Sequence, residues 1–282
     1  MEPPCLDHLV YFLPTSPDAS FLAESEFTIT PGGTHAHGVT SNDLILLQDG
    51  CYIELIWFVG SLDDIANHYW GPDPQRRGWA DWSLTHPSRN AEQNYDHLRR
   101  KGLEYQTPKK GSRKRPDNKE ARWSVIPPRG DKAGQAIRGK LPFWCHDETD
   151  RGIRVPLTQD NTKHGCGALG VKNICIVIED QEELGRVAQA YQSLFEGTMS
   201  VTGDETTFKV KRLEEVEGLD EGVDVVLRLP RSREEKLKVA DRGFWFKEVK
   251  LAARKMGKSA GMTETIDRGG DGPSGLLWVV YL

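Results

Sequence analysis

The sequence predicts an α+β protein made of repeated βαβββ modules whose curved, mixed sheets cup a shared cleft. Three observations lead there. A strand, one helix and three further strands fill the first 58 residues, the same order returns between Ala80 and Cys145, and it returns more weakly between Leu169 and Leu282. Within each unit short strands joined by hairpin signals follow a single helix, which favours α+β layering over a doubly wound sheet. The glycine pairs Gly32-Gly33 and Gly269-Gly270 lie in loops without the strand-to-helix context that a phosphate-cradling fingerprint needs.

Leu6-Asp7-His8-Leu9-Val10-Tyr11-Phe12-Leu13 reads as a buried strand and Ser16 to Glu24 as a short helix. Strands follow at Phe27-Ile29, Asn42-Leu47 and Tyr52-Phe58, the last two joined by the turn Gln48-Asp49-Gly50. After a Gly, Pro and Asp-rich loop from Gly71 to Arg77, the second unit has a strand at Ala80-Leu84 and a helix over Asn90-Lys101 closed by Gly102. Its strands are placed at Tyr105, Trp123-Ile126 and Leu141-Cys145. The third unit has Leu169-Ile178, a helix over Gln181-Phe195, then Phe208-Leu213, Val223-Leu229 and Gly275-Leu282. A charged insertion, Arg231 to Gly272, holds an amphipathic stretch at Phe244-Met256 and a Gly/Asp tail at Asp267-Pro273, and reads as a mobile loop. Residues 1–158 form one expected domain of two modules, and residues 168–282 a C-terminal module carrying the insertion at 231–272.

The 282 residues carry 37 basic and 42 acidic side chains, a net charge of −5 that offers nucleic acid or anionic lipid no global attraction. No apolar run reaches the ~18 residues of a membrane-spanning helix. Five scattered cysteines, an odd number, argue against a disulfide scaffold, and Met-Glu-Pro-Pro-Cys5 does not have the form of a secretory signal. The expected setting is cytoplasmic, the expected partner a small molecule with neither nucleic acid nor membrane, and a homodimer is one assembly the sequence allows.

His8 in the first strand and Glu54 in the last strand of the same module are ionisable groups at positions expected to be buried. Converging in the cleft they supply two ligands to a divalent metal; alternatively they are a hydrogen-bonded structural pair. The loop Gly32-Gly33-Thr34-His35-Ala36-His37-Gly38 offers two imidazoles as general base or further ligand. Lys109 to Pro116 holds five basic residues and reads as a solvated hairpin loop rather than a nucleic-acid patch. Trp57, Trp70, Trp79, Trp82, Trp123 and Trp144 gather in the first two modules, and those that reach the cavity select a flat, largely apolar ligand. Cys145 and Cys166 have no assured base beside them and are read as structural.

Leu6-Asp7-His8-Leu9-Val10, Gly32-Gly33-Thr34-His35, Asn42 and Tyr52-Ile53-Glu54-Leu55 resemble the glyoxalase-like proteins of the vicinal oxygen chelate superfamily. Gly111, Arg113, Pro116, Asp117 and Trp123, with Leu141-Pro142-Phe143-Trp144, extend the resemblance over roughly residues 5 to 158. It implies metal ligands on the first and last strands of each module, hence a divalent metal (Zn, Ni, Mn or Fe) on His8 and Glu54. The second module departs from that pattern, with Trp82 in place of a His and Phe143 or Cys145 in place of an acid. His146, Asp147 and Glu148 enter the site only if the strand register differs. The resemblance singles out His35 as the base and Arg113, oriented by Asp117, as an anion clamp; Asn42, Trp123 and Trp144 complete the expected substrate site. The expected activity is metal-assisted proton transfer of isomerase or lyase type on an aromatic or carbonyl-containing metabolite. The rivals are a metal-free binding protein on the same fold and an interaction module using the basic loop and the insertion.

Overall fold

The computed structural model describes residues 2–13, 16, 26–71, 78–130, 137–195, 199–220, 222–240, 242–267 and 276–282. The helix expected at Ser16 to Glu24, most of the Gly71 to Arg77 loop and most of the Asp267-Pro273 tail lie outside the described residues.

The first strand, β1 (Cys5–Phe12), is buried along its whole length, as its nearly unbroken apolar run requires. It is followed by β2 (Thr30–Thr34), β3 (Thr40–Leu46) and β4 (Tyr52–Phe58), with β4 parallel to β1 and the hairpin partner of β3. The expected strand at Phe27-Ile29 therefore sits a few residues later, where Gly32 and Gly33 allow close backbone packing. An unforeseen short helix, α1 (Leu62–Asn67), is started by Ser61 through a reciprocal capping box with Asp64.

In the second unit β5 (Gly78–Thr85) runs antiparallel to β1. Then come α2 (Ala91–Arg100), capped by Asn90, and the strands β6 (Lys109–Lys114), β7 (Glu120–Ile126) and β8 (Phe143–Asp147). The basic stretch is thus an edge strand, not a solvated loop, with Arg113 as its buried residue. A single turn of helix, α3 (Arg151–Arg154), closes the unit.

The first two units close on each other. The path β2, β3, β4, β1, β5, β8, β7, β6 is continuous, and its ends meet where His35 bridges Arg113 and the Ala36 amide donates to the Ser112 carbonyl at 2.8 Å. Glycine makes this closure possible. A Cβ on Gly32 would stand 2.1 Å from Asn42 Oδ1, and Gly33, at φ +130°, would place one 2.6 Å from the Lys114 carbonyl oxygen.

The third unit consists of β9 (Ala168–Ile178), α4 (Gln181–Phe195), β10 (Met199–Thr202), β11 (Glu205–Lys211) and β12 (Gly222–Arg228). The expected insertion is not a mobile loop in its described part. It forms α5 (Arg233–Val239), β13 (Phe244–Ala253), antiparallel to β9, and β14 (Thr263–Asp267). The last strand, β15 (Leu276–Tyr281), pairs with β13 and not with the third unit's own strands, so these elements form a shortened fourth repeat.

Side chains alternate between two faces along β1. Leu9 and Tyr11 join the main core with Trp82, Trp144, Tyr191 and Phe208, while Val10, Phe12, Ile56, Ala80, Phe143 and Cys145 form a separate apolar cluster on the inner face. Each fully buried side chain of this size contributes about 1.5–3 kcal/mol relative to exposure. Among the described residues no helix is long and apolar enough to cross a membrane, and all five cysteines are free thiols.

Candidate active site

The inner face of the closed cup bounds a cleft of about 640 Å³, lined by His8, His35, His37, Tyr52, Glu54, His68, Trp70, Arg113, Trp123, Phe143, Cys145 and Arg154 among others. Val10 and Glu54 are register partners on adjacent parallel strands, and His8 lies one inward position away beside Tyr52. That pairing brings the first and last strands of the module to one point.

His8 Nδ1 lies 2.5 Å from Asp7 Oδ1. Burial works to raise the Asp7 carboxyl, but the guanidinium groups of Arg151 and Arg154 and the bond to His8 outweigh it and hold the group well below the usual carboxylate range. An ionised Asp7 can only accept, so His8 donates to it through Nδ1 and turns Nε2 into the cleft. Tyr52 stacks on the ring at 4.6 Å and 13°, and Phe143 meets its edge. His8 Nε2 then faces Glu54 Oε2 at 3.7 Å.

Glu54 Oε1 accepts from Asn42 Nδ2 at 2.5 Å, and Arg113 Nη1 donates to Asn42 Oδ1 at 3.2 Å, which fixes the amide orientation. His35 Nε2 stands 3.7 Å from the same Glu54 oxygen, with Thr40 Oγ1 at 2.7 Å from its Nδ1. Burial lowers His35 to about 4 despite the upward pull of Glu54, so the ring is neutral at pH 7 and able to take up a proton. His37 and His68, also lowered by burial, continue the imidazole wall at ring separations of 5.6 and 5.2 Å. Trp123 sits edge-on to His35 at 5.6 Å, in space left by Gly111 opposite it, where a Cβ would lie 2.6 Å from the indole nitrogen.

The structure brings together His8, His35, Asn42, Glu54, Arg113 and Trp123. Two expected substrate residues lie elsewhere. Trp144 points into the main core and stacks on His146, because the register of β8 turns Phe143 and Cys145 inward instead. Asp117 is in the turn beyond β6, bound to Arg115 at 3.2 Å, and does not orient Arg113. Arg113 is itself not arranged as an open clamp: it is 2% exposed, and its Nη2 donates to the Arg154 carbonyl oxygen at 2.7 Å. His146 bonds Asn94 and Asp147 bonds Arg154, so neither turns to Glu54; Glu148 reaches the rim of the cleft. Burial pushes the Cys145 thiol well up, which keeps it un-ionised on the cleft floor.

Sequence reasoning passed over Asp7, Tyr52, His68, Arg151 and Arg154 as site residues. The one available signal was the acid beside His8, since a buried carboxylate calls for a cation that the strand itself does not provide.

Among the described residues no three His, Cys, Asp or Glu side chains form a ready metal cage. His8 Nε2 and Glu54 Oε2 nevertheless form an acceptor-rich pair, with the imidazole oriented from behind by a carboxylate in the way metal-bound histidines are. This donor set fits half of a divalent cation's coordination shell.

Paired modules closed into a cup, with an imidazole and a carboxylate from the first and last strands facing inward, define the vicinal oxygen chelate class of proteins. The model of the glyoxalase-like domain family matches residues 6–195, and the chain belongs to that family. A hypothetical protein from Staphylococcus aureus superposes with a TM-score of 0.68 at 12% identity, covering 99% of this chain and 100% of that one. A mutant of 4-hydroxymandelate synthase from Streptomyces coelicolor superposes with a TM-score of 0.56 at 12% identity, covering 100% and 93%. At that identity both comparisons speak for the fold. No curated protein matches the sequence.

Proposed function

We propose that this chain is a glyoxalase-like enzyme of isomerase or lyase type that moves a proton on a small, planar, anionic or carbonyl-containing metabolite. The observation that carries the reading is the pair of imidazoles, His8 and His35, facing opposite oxygens of the single carboxylate Glu54 inside one aromatic cleft. His35 accepts the substrate proton, and burial keeps its ring neutral before the step. Asn42 steadies Glu54, and Arg113 holds Asn42.

His8 and Glu54 are the residues that would hold a divalent metal, which when bound supplies Lewis-acid polarisation of a carbonyl or enolate oxygen. Trp70, Trp123 and Phe143 give a flat substrate apolar walls. Of the cations lining the cleft, Arg154 is matched by Asp7 and Asp147, Arg122 by Glu120 and Lys110 by Glu148, which leaves Lys109 and Arg113 against Glu54. These two cations are the groups that would meet an anionic or carbonyl oxygen of the ligand.

The test is the metal content of the full-length protein by mass spectrometry, alongside Glu54→Ala. About one equivalent of transition metal, absent from the variant, supports the half-site; His35→Gln should then abolish turnover in a screen of enolisable carbonyl substrates while binding persists. Protein that takes up no metal after refeeding overturns the chelate part. The second reading, a metal-free binding protein, draws on the missing ligands of the second module, and metal-free binding of an aromatic anion unchanged in His8→Ala would support it.

A further inference from the structure

We propose that Arg154 is the positioning residue of the cleft, its guanidinium setting Asp7, His8 and Tyr52 while its carbonyl sets Arg113 and, through it, Asn42 and Glu54. The inference rests on the reading of His8 and Glu54 as the reactive pair and adds what holds them in place.

Arg154 is 2% exposed and spends all five of its N–H donors. Nη1 donates to Asp7 Oδ1 at 3.0 Å and to the Tyr52 hydroxyl at 2.8 Å; Nη2 donates to Asp7 Oδ2 and to Asp147 Oδ2, both at 2.9 Å; Nε donates to Asp147 Oδ1 at 2.5 Å. A buried cation needed only to balance charge would not need this fork, which an ammonium group cannot reproduce. Two of its three partners are the groups that fix the His8 ring, Asp7 through Nδ1 and Tyr52 through its face. Arg151 also donates to Asp7, at 2.6 Å, but its side chain is 26% exposed and it has no bond to Tyr52 among those described.

The second arm leaves from the backbone. Arg113 Nη2 donates to the Arg154 carbonyl at 2.7 Å, and Arg113 Nη1 orients the Asn42 amide that binds Glu54. Both reactive side chains belong to the first repeat, and both are referred to one residue that follows the last strand of the second. Where the second module departs from the expected ligand pattern, it contributes this fastening instead.

The experiment follows the His8 ring proton resonances by NMR in full-length protein without metal or substrate, assigned through His8→Gln. Stacking on Tyr52 displaces them upfield in the wild type. In Arg154→Met they should move most of the way to the position of free histidine, and in Arg154→Lys part of the way. Arg228→Met removes an equally buried arginine from the C-terminal half, and should lower the melting temperature while leaving His8 unmoved. A folded Arg154→Met protein with unshifted His8 resonances overturns the proposal. If that variant does not fold, Arg154→Lys decides in the same way, and failure of both to fold makes Arg154 a stability residue and also overturns it. Because no reaction is measured, these outcomes are independent of whether the proton-transfer reading survives.

Discussion

In the N-terminal half β1 runs parallel to β4 and antiparallel to β5; in the C-terminal half β9 runs parallel to β12 and antiparallel to β13. The pairing scheme repeats, but the ends of the sheets behave differently. The N-terminal path closes at His35 and Arg113, whereas among the described residues β10 and β14 end the C-terminal path without meeting. The closed half keeps imidazoles and a carboxylate facing one another without a hydrogen bond across the gap. The open half neutralises its charges instead, pairing Lys250 with Glu248, Lys209 with Asp224 and Arg228 with Glu235, and laying α5 over Val177 and Trp245. Inside the closed cup each of these groups is held from behind by its own partner, which lets imidazoles and a carboxylate face one another at 3.7 Å.

The largest expected effect comes from cutting the joint between the halves. Asp49, read from sequence as a turn residue, is 1% exposed; it accepts from the Val171 amide at 2.9 Å and pairs with Arg212 at 2.7 Å. Asp49→Ala leaves Arg212 buried and uncompensated, and urea unfolding should show a loss of about 3–5 kcal/mol. Gly33→Ala tests closure itself: at φ +130° its Cβ meets the Lys114 carbonyl oxygen of β6, so stability should fall by about 1–3 kcal/mol and metal uptake should be lost, as read by melting and mass spectrometry.

Glu235→Gln probes the neutralised half. The hydrogen bond from Arg228 holds Glu235 at about 2, below its ordinary 4.5, so its contribution is complete above pH 4.5 and fades as pH falls towards 2. The variant should be less stable by about 1–2 kcal/mol at pH 7, after allowance for partial exposure, and match the wild type near pH 2. The smallest change is a gain. Gly185 lies in α4 with nothing near its absent Cβ, so Gly185→Ala should add about 0.5–1 kcal/mol in a urea titration and leave the cleft untouched.

Much of the architecture was legible because burial leaves a period. The α4 boundaries follow from its 3.6-residue apolar pattern, and β1, β4 and β9 from their apolar runs. β13 was missed because a register shift between Phe246 and Glu248 breaks its alternation, so that Lys247 and Glu248 follow three apolar residues and mimic an amphipathic helix. β6 was missed because an edge strand tolerates lysines, and only its closure against His35 explains why Arg113 alone is buried. The site divides along the same line. His8, Glu54, His35 and Asn42 stand out as polar residues in strands or glycine turns, while Arg154 follows a strand in a short charged segment whose partners are distant in the chain.

That distance has a bearing on how the protein is made. Asp7 and Arg154 are 147 residues apart, so at about 5–20 residues per second a ribosome delivers the arginine roughly 7–30 s after the acid it fastens. Through that interval the growing chain holds Asp7 without the guanidinium that pairs with it in the finished fold. The inward-facing imidazole and carboxylate are made first, and the arginine that anchors the acid behind the imidazole is made last.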